Sequence, residues 1–232
     1  MKKGKKIFLI VILILVAAIA ALGVWQKNNI IAVYKTLTTS NEQLAAEIDK
    51  GKTELEDQLK KQYSSIISDF TAEQEAKLMK GEMSVDEAVA ELTKRYETAK
   101  EQNKAKGDTP KKGDNSAKID ELIGDKVIEL YSLKAYYLGQ LGQMEAAVKK
   151  DYLAMPTEKR NLIGKQELVN KYMGTALGLM KQCDGQVAEL ISELKAGLKE
   201  LSGDTSIIAT IEAAYENEKA LKKAYYLKLL EE

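Results

Sequence analysis

Four tyrosines, one methionine and the lone cysteine are the side chains whose grouping suggests a site. Tyr136 and Tyr137 sit in an Ala-Tyr-Tyr-Leu run at 135–138, and Tyr225 and Tyr226 sit in a second Ala-Tyr-Tyr-Leu run at 224–227. Together with Met180 and Cys183 they form a candidate ligand or partner layer, an apolar groove edged with hydroxyls that would take an apolar or peptide ligand. The plainer account is packing, with the rings in the interior and the hydroxyls turned to water or to a polar neighbour.

Cys183 is the one cysteine, so no intrachain disulfide can form. Lys181 nearby would favour a thiolate, which is the chemistry of a redox thiol or an intermolecular disulfide. Its place on an apolar stripe gives the other reading, a small buried hydrophobe.

The inventory excludes more than it offers. The chain contains no His, which removes the most frequent general acid/base and the most frequent metal ligand. Gly-rich phosphate loops, G-x-S-x-G, H-E-x-x-H and EF-hand spacings are missing. No catalysis, cofactor or metal is therefore expected. Carboxylates recur beside Lys at i, i+4, as in Glu145 with Lys149 and Glu218 with Lys222, and read as solvated helix faces.

The elements that would carry these side chains are helices. Ala, Leu, Glu and Lys recur, and only 2 of 232 residues are Pro, so helix breakers are scarce. The fold class expected is all-α: an N-terminal transmembrane helix, then long helices, ending in an antiparallel three-helix coiled-coil bundle.

Residues 7–25 (IFLIVILILVAAIAALGVW) carry no charge. As a helix they would span about 28 Å, close to a bilayer's hydrocarbon thickness. Lys2, Lys3, Lys5 and Lys6 precede the run, whereas Lys27 and Lys35 follow it. The positive-inside rule then places 1–6 as a cytoplasmic basic tail, 7–25 as a signal anchor contacting the lipid bilayer, and the body outside the cytoplasm. The rival is a cleaved signal, since Ala18-Ile19-Ala20 matches an A-x-A site. The remainder has 31 basic and 35 acidic residues, net −4, which argues against a nucleic-acid partner. An exported chain without disulfides suits a bacterium.

The body divides into a membrane-proximal helical region at 26–103, a flexible linker at 104–117 (KAKGDTPKKGDNSA) and a coiled-coil domain at 118–232. Capping boxes at Ser40–Gln43, Thr71–Gln74 and Ser84–Glu87 predict helices over about 41–68, 72–80 and 85–104, with Gly81 as a stop. Leu44, Leu55 and Ile66, and likewise Ile48, Leu59 and Phe70, recur every eleven residues, a nearly straight stripe. That stripe would pack on Val85, Val89, Leu92 and Tyr96, or pair with a second copy of the chain.

A third long helix is expected over 118–155, capped by Asn115 or Ser116 and closed before Pro156. Thr157 would start the next. Val169, Ala176, Cys183, Leu190 and Gly197, with Met173, Met180, Val187, Leu194 and Leu201, then form an a/d seam of five heptads. Ser202-Gly203-Asp204 breaks that helix, and Asp204 or Thr205 caps the last. Three antiparallel helices would follow, about 60 Å long. Both Ala-Tyr-Tyr-Leu runs start 18 residues into their helices, counted from Ala117 and Ser206. Matched offsets would place them at one height, facing Leu177 to Cys183.

Two functions fit. One is a membrane-anchored extracytoplasmic scaffold or interaction protein of a bacterial cell envelope, meeting protein partners or itself through coiled-coil faces. The alternative is a ligand-binding or sensing bundle that uses the Tyr layer.

Overall fold

The computed structural model describes residues 35, 38–63, 66–105 and 115–228. The expected span at 7–25, the basic tail before it and most of the expected linker lie outside the described residues. Among the described residues, no helix is long and apolar enough to cross a membrane.

All regular structure among the described residues is helical. The order is α1 (Asn41–Gln62), α2 (Ala72–Lys80), α3 (Val85–Ala105), α4 (Ser116–Ala154), a single 3-10 turn (Thr157–Lys159), α5 (Leu162–Glu200) and α6 (Ser206–Lys228).

Local chemistry starts these helices where the sequence indicates. The Ser40 hydroxyl accepts from Gln43 N at 3.2 Å, and the Gln43 side chain accepts from Ser40 N at 2.9 Å. Thr71 with Gln74 and Ser84 with Glu87 repeat the reciprocal pair. Each box satisfies backbone N–H groups that have no partner inside the helix. Gly81 closes α2 in the left-handed region at φ 70°, where a residue without Cβ is unstrained.

Two expectations fail locally. α1 ends at Gln62, not near 68. Ile66, Ile67 and Phe70 nevertheless are buried, from a non-helical stretch. The eleven-residue spacing therefore tracked burial past the point where the helix had ended.

Thr157 opens only the 3-10 turn. The cap of α5 is Asn161, whose Oδ1 accepts from Ile163 N at 2.9 Å and Gly164 N at 3.2 Å.

Asn115 does more than precede α4: its side-chain N–H donates to the Leu201 carbonyl at 3.1 Å, serving an orphan acceptor at the end of α5. At that end Ser202 takes φ 56°. The Gly203 N–H reaches Leu198 O at 2.7 Å and the Ser202 N–H reaches Lys199 O at 3.1 Å, a Schellman closure with serine where glycine is usual.

The chain forms two compact units, both discontinuous in sequence. The core unit comprises 52–139 and 183–215, and the tip unit comprises 1–51, 140–182 and 216–232. α1, α4, α5 and α6 each contribute to both.

The core unit has one apolar centre fed by every helix: Leu59 from α1, Leu78 from α2, Leu92 and Tyr96 from α3, Ile123 and Val127 from α4, Leu194 and Leu198 from α5, and Ile208 from α6, joined by Phe70. Sequence on either side of 104–117 thus shares this centre. Tyr96 donates to Asp125 Oδ1 at 2.7 Å, and Lys100 pairs with Glu121 at 2.7 Å. Gly197 of the expected seam lies so close to α4 that a Cβ there would sit 2.7 Å from Leu122 Cδ2.

The tip unit holds two small clusters. Met144, Val148, Leu168 and Ala176 join α4 to α5. Leu44, Leu221 and Ala224 join α1 to α6. The α4–α5 turn is closed by Arg160, which donates from Nε to Met155 O at 2.9 Å and from a terminal nitrogen to Leu153 O at 2.7 Å. Gly164 is required there: a Cβ would lie 2.0 Å from the Lys159 carbonyl oxygen.

Candidate functional site

Burial and a polar partner decide what each tyrosine can do, and the core unit brings together part of the expected layer. Tyr137 is buried and its hydroxyl donates to the Gln186 side-chain oxygen on α5. Tyr136 beside it is 40 % exposed, its ring edge-on to that of Tyr137 at 5.1 Å between centroids. Cys183 is half-buried in the same centre, with its Sγ 3.8 Å from the Tyr215 hydroxyl. Tyr215 in turn donates to Asp184 Oδ1 at 2.7 Å.

The expected register is corrected here. On α6 the partner of Cys183 is Tyr215, not Tyr225. Tyr225 belongs to the tip unit, where it packs against Leu44, Leu221 and Ala224. Met180 is likewise a tip-unit residue and half-buried. The Tyr226 side chain lies outside the described residues.

Matched offsets failed because α6 does not begin level with the end of α5. Residues 203–205 are non-helical, and extended chain advances about 3.3 Å per residue against 1.5 Å in a helix. Those residues carry the chain back along α5 before α6 starts, so offsets counted from helix starts do not measure height.

The hydroxyls here are donors rather than bases. Burial first, then the neighbouring Cys183 and Asp184, push the Tyr215 hydroxyl far above the ordinary tyrosine value of 10. Burial also raises Tyr137, with Cys183 and Tyr136 adding to it. Tyr96 is raised by burial and by its bond to Asp125. A phenol held protonated at neutral pH can bridge and position, but it cannot take a proton from a substrate.

A feature with no signal in the sequence lies in the same unit. Lys52 of α1, Asp69 of the α1–α2 connection, Glu75 of α2 and Lys134 of α4 form a four-membered charge cluster. Lys134 reaches Asp69 at 2.5 Å and Glu75 at 2.7 Å; Lys52 reaches Glu75 at 2.5 Å and Asp69 at 4.0 Å. The four side chains are only 9–16 % exposed, so each charge depends on the others for the solvation it has lost. Four positions from four segments show no local pattern, and each alone looks like a surface charge.

In the tip unit, Asp151 of α4 accepts from both Lys171 and Tyr172 of α5 at 2.6 Å. Burial and this bond push the Tyr172 hydroxyl up to about 12. The two bonds lower Asp151 below its ordinary value. Asp151 and Lys171, with Ala154, Met155, Glu167 and Leu168, line an open depression beside the α4–α5 turn. Asp151 and Lys171 pair there, and Glu167 adds a second carboxylate.

Comparison with protein-family models, with curated proteins and with solved structures yields no match.

Proposed function

We propose that this chain is a membrane-anchored scaffold or interaction protein of a bacterial cell envelope, with its helical body held outside the cytoplasm and with no catalytic role. The observation that carries the proposal is the charge-free run at 7–25 behind four lysines. A helix apolar on every face has no stable place on a soluble body of this size, and the lysine asymmetry orients it.

The body supports the reading through what its polar groups are engaged in. Tyr96, Tyr137 and Tyr215 spend their hydroxyls on neighbouring side chains. Lys52, Asp69, Glu75 and Lys134 pair with one another. What such a body offers is helical surface. The antiparallel coiled coil expected over 118–232 is part of this proposal, its α5 seam packing within the body and its outward helical faces meeting partners. The ligand-binding alternative has weaker support, because Tyr137 is buried with its hydroxyl bonded and Tyr225 belongs to another unit.

The test is fractionation of bacteria expressing the full chain. The product is expected in the membrane pellet after alkaline carbonate, and its body is expected to be cut by protease added to intact spheroplasts. In-cell crosslinking should then capture defined envelope neighbours or a second copy. A product in the culture fluid beginning at Ala21 would overturn the anchor.

A further inference from the structure

The α4–α5 turn combines three properties that nothing above uses. First, it is apolar where it should be polar. The exposed large apolar side chains among the described residues are Tyr136, Leu153 and Ile163, and two of these three flank this one turn, at 48 % and 71 % exposure. Second, it has a basic excess within an acidic body. Over 149–167 the bases Lys149, Lys150, Lys159, Arg160 and Lys165 outnumber the acids Asp151, Glu158 and Glu167 by two, whereas 26–232 as a whole carries an acidic excess. Third, it is tied off by its own side chains: Arg160 donates to the carbonyls of Leu153 and Met155, its guanidinium lies over the Tyr152 ring at 5.9 Å, and Asn161 caps α5. These bonds fix the turn's backbone with Leu153 and Ile163 on its exposed side.

The chain itself says what faces this turn. The turn and the first residues of α1 belong to the same compact unit. Between Trp25 and Asn41 the chain can reach no further than about 58 Å even when fully extended. If 7–25 lies in a bilayer, the unit that begins α1 is the one tethered beside its surface. An apolar pair with a local basic excess is the chemistry of interfacial insertion into anionic lipid, where the apolar groups enter the headgroup boundary and the amines meet phosphates.

We propose that the α4–α5 turn docks on the anionic lipid surface beside the anchor, with Leu153 and Ile163 inserted and Lys159 and Lys165 on the headgroups. This deepens the function proposed above and rests on its anchor.

The experiment uses the full chain with Cys183→Ala, labelled at Ile163→Cys with an environment-sensitive fluorophore. It is reconstituted into vesicles of phosphatidylcholine with phosphatidylglycerol, or of phosphatidylcholine alone. The expected result is blue-shifted emission in the anionic vesicles, quenched by lipid-borne spin labels. The shift should be lost at high salt and in Lys159→Glu/Lys165→Glu, while the same label at Thr93→Cys on α3 stays aqueous. A chain that floats with the vesicles but keeps an aqueous signal at position 163 overturns the docking and leaves the anchor standing. A chain that does not float with them overturns both. A blue shift that follows protein concentration rather than lipid charge assigns the turn to a second copy, and also overturns the proposal.

Discussion

The core unit and the tip unit are built from stretches of the same four long helices, yet they bury apolar surface in different ways. In the core unit α2, α3 and the non-helical 66–70 stretch cover those helices, so one centre runs from Phe70 to Ile208. Among the described residues of the tip unit, the buried apolar groups come from those four helices and fall into two small clusters. Helix length therefore does not set core size. The number of elements that can lay an apolar face on a shared centre does. Where fewer faces meet, apolar side chains such as Leu153 and Ile163 stay outside, and polar bridges such as Asp151 to Tyr172 join one helix to the next.

The strongest way to break this comparison is a matched pair of truncations. Leu194→Ala in the core unit is expected to cost about 3–5 kcal/mol, and Leu168→Ala in the tip unit about 2–3 kcal/mol, because a thinly covered site collapses more readily around its cavity. Chemical denaturation of the solubilised full chain followed by circular dichroism measures both. Equal costs would end the distinction.

Gly164→Ala comes next. The new Cβ would meet the Lys159 carbonyl oxygen at 2.0 Å, so the α4–α5 turn must be rebuilt, at about 3 kcal/mol. Hydrogen exchange should localise the loss to the turn while the amides around Leu194 keep their protection.

Lys134→Met retains the stem but removes a charge from the cluster of Lys52, Asp69 and Glu75. The expected loss is about 2–3 kcal/mol, below the full value for a broken buried pair because the four side chains keep some access to water. An unchanged denaturation midpoint would show that the cluster contributes nothing to holding α1, α2 and α4 together.

Smaller and of opposite sign is Ser202→Gly. The left-handed φ of 56° strains serine but not glycine, so the variant should gain about 0.5–1 kcal/mol after the entropy of the freer unfolded chain is deducted. A lower melting temperature would contradict the Schellman geometry at the end of α5.

Smallest is Glu145→Gln in the tip unit. Burial raises this carboxyl above its ordinary value of 4.5, with Lys149 opposing. The folded form thus holds the proton more tightly than the unfolded one. Its contribution to stability is complete below the unfolded pKa and is lost as pH rises through the folded one. The amide should therefore raise the melting temperature near pH 7 and leave it unchanged near pH 3. A gain at both values would assign the effect to something other than ionisation.

The sequence by itself determined where helices begin, because a capping box or a glycine stop acts within four residues: Ser40, Thr71, Ser84 and Gly81 all stand where they were read. It determined the burial pattern of α5 in part: Ala176, Val187, Leu190 and Leu194 are buried on the expected seam, but so are Leu168, Ile191 and Leu198 off it. Only the tertiary structure decided which heights of those helices meet. The return through 203–205 set Cys183 beside Tyr215, and no spacing within a single helix records how far a non-helical connection travels. The tertiary structure also assembled the charges of Lys52, Asp69, Glu75 and Lys134. Their mutual solvation exists only once segments distant in sequence exclude water together, so no local pattern of residues announces it.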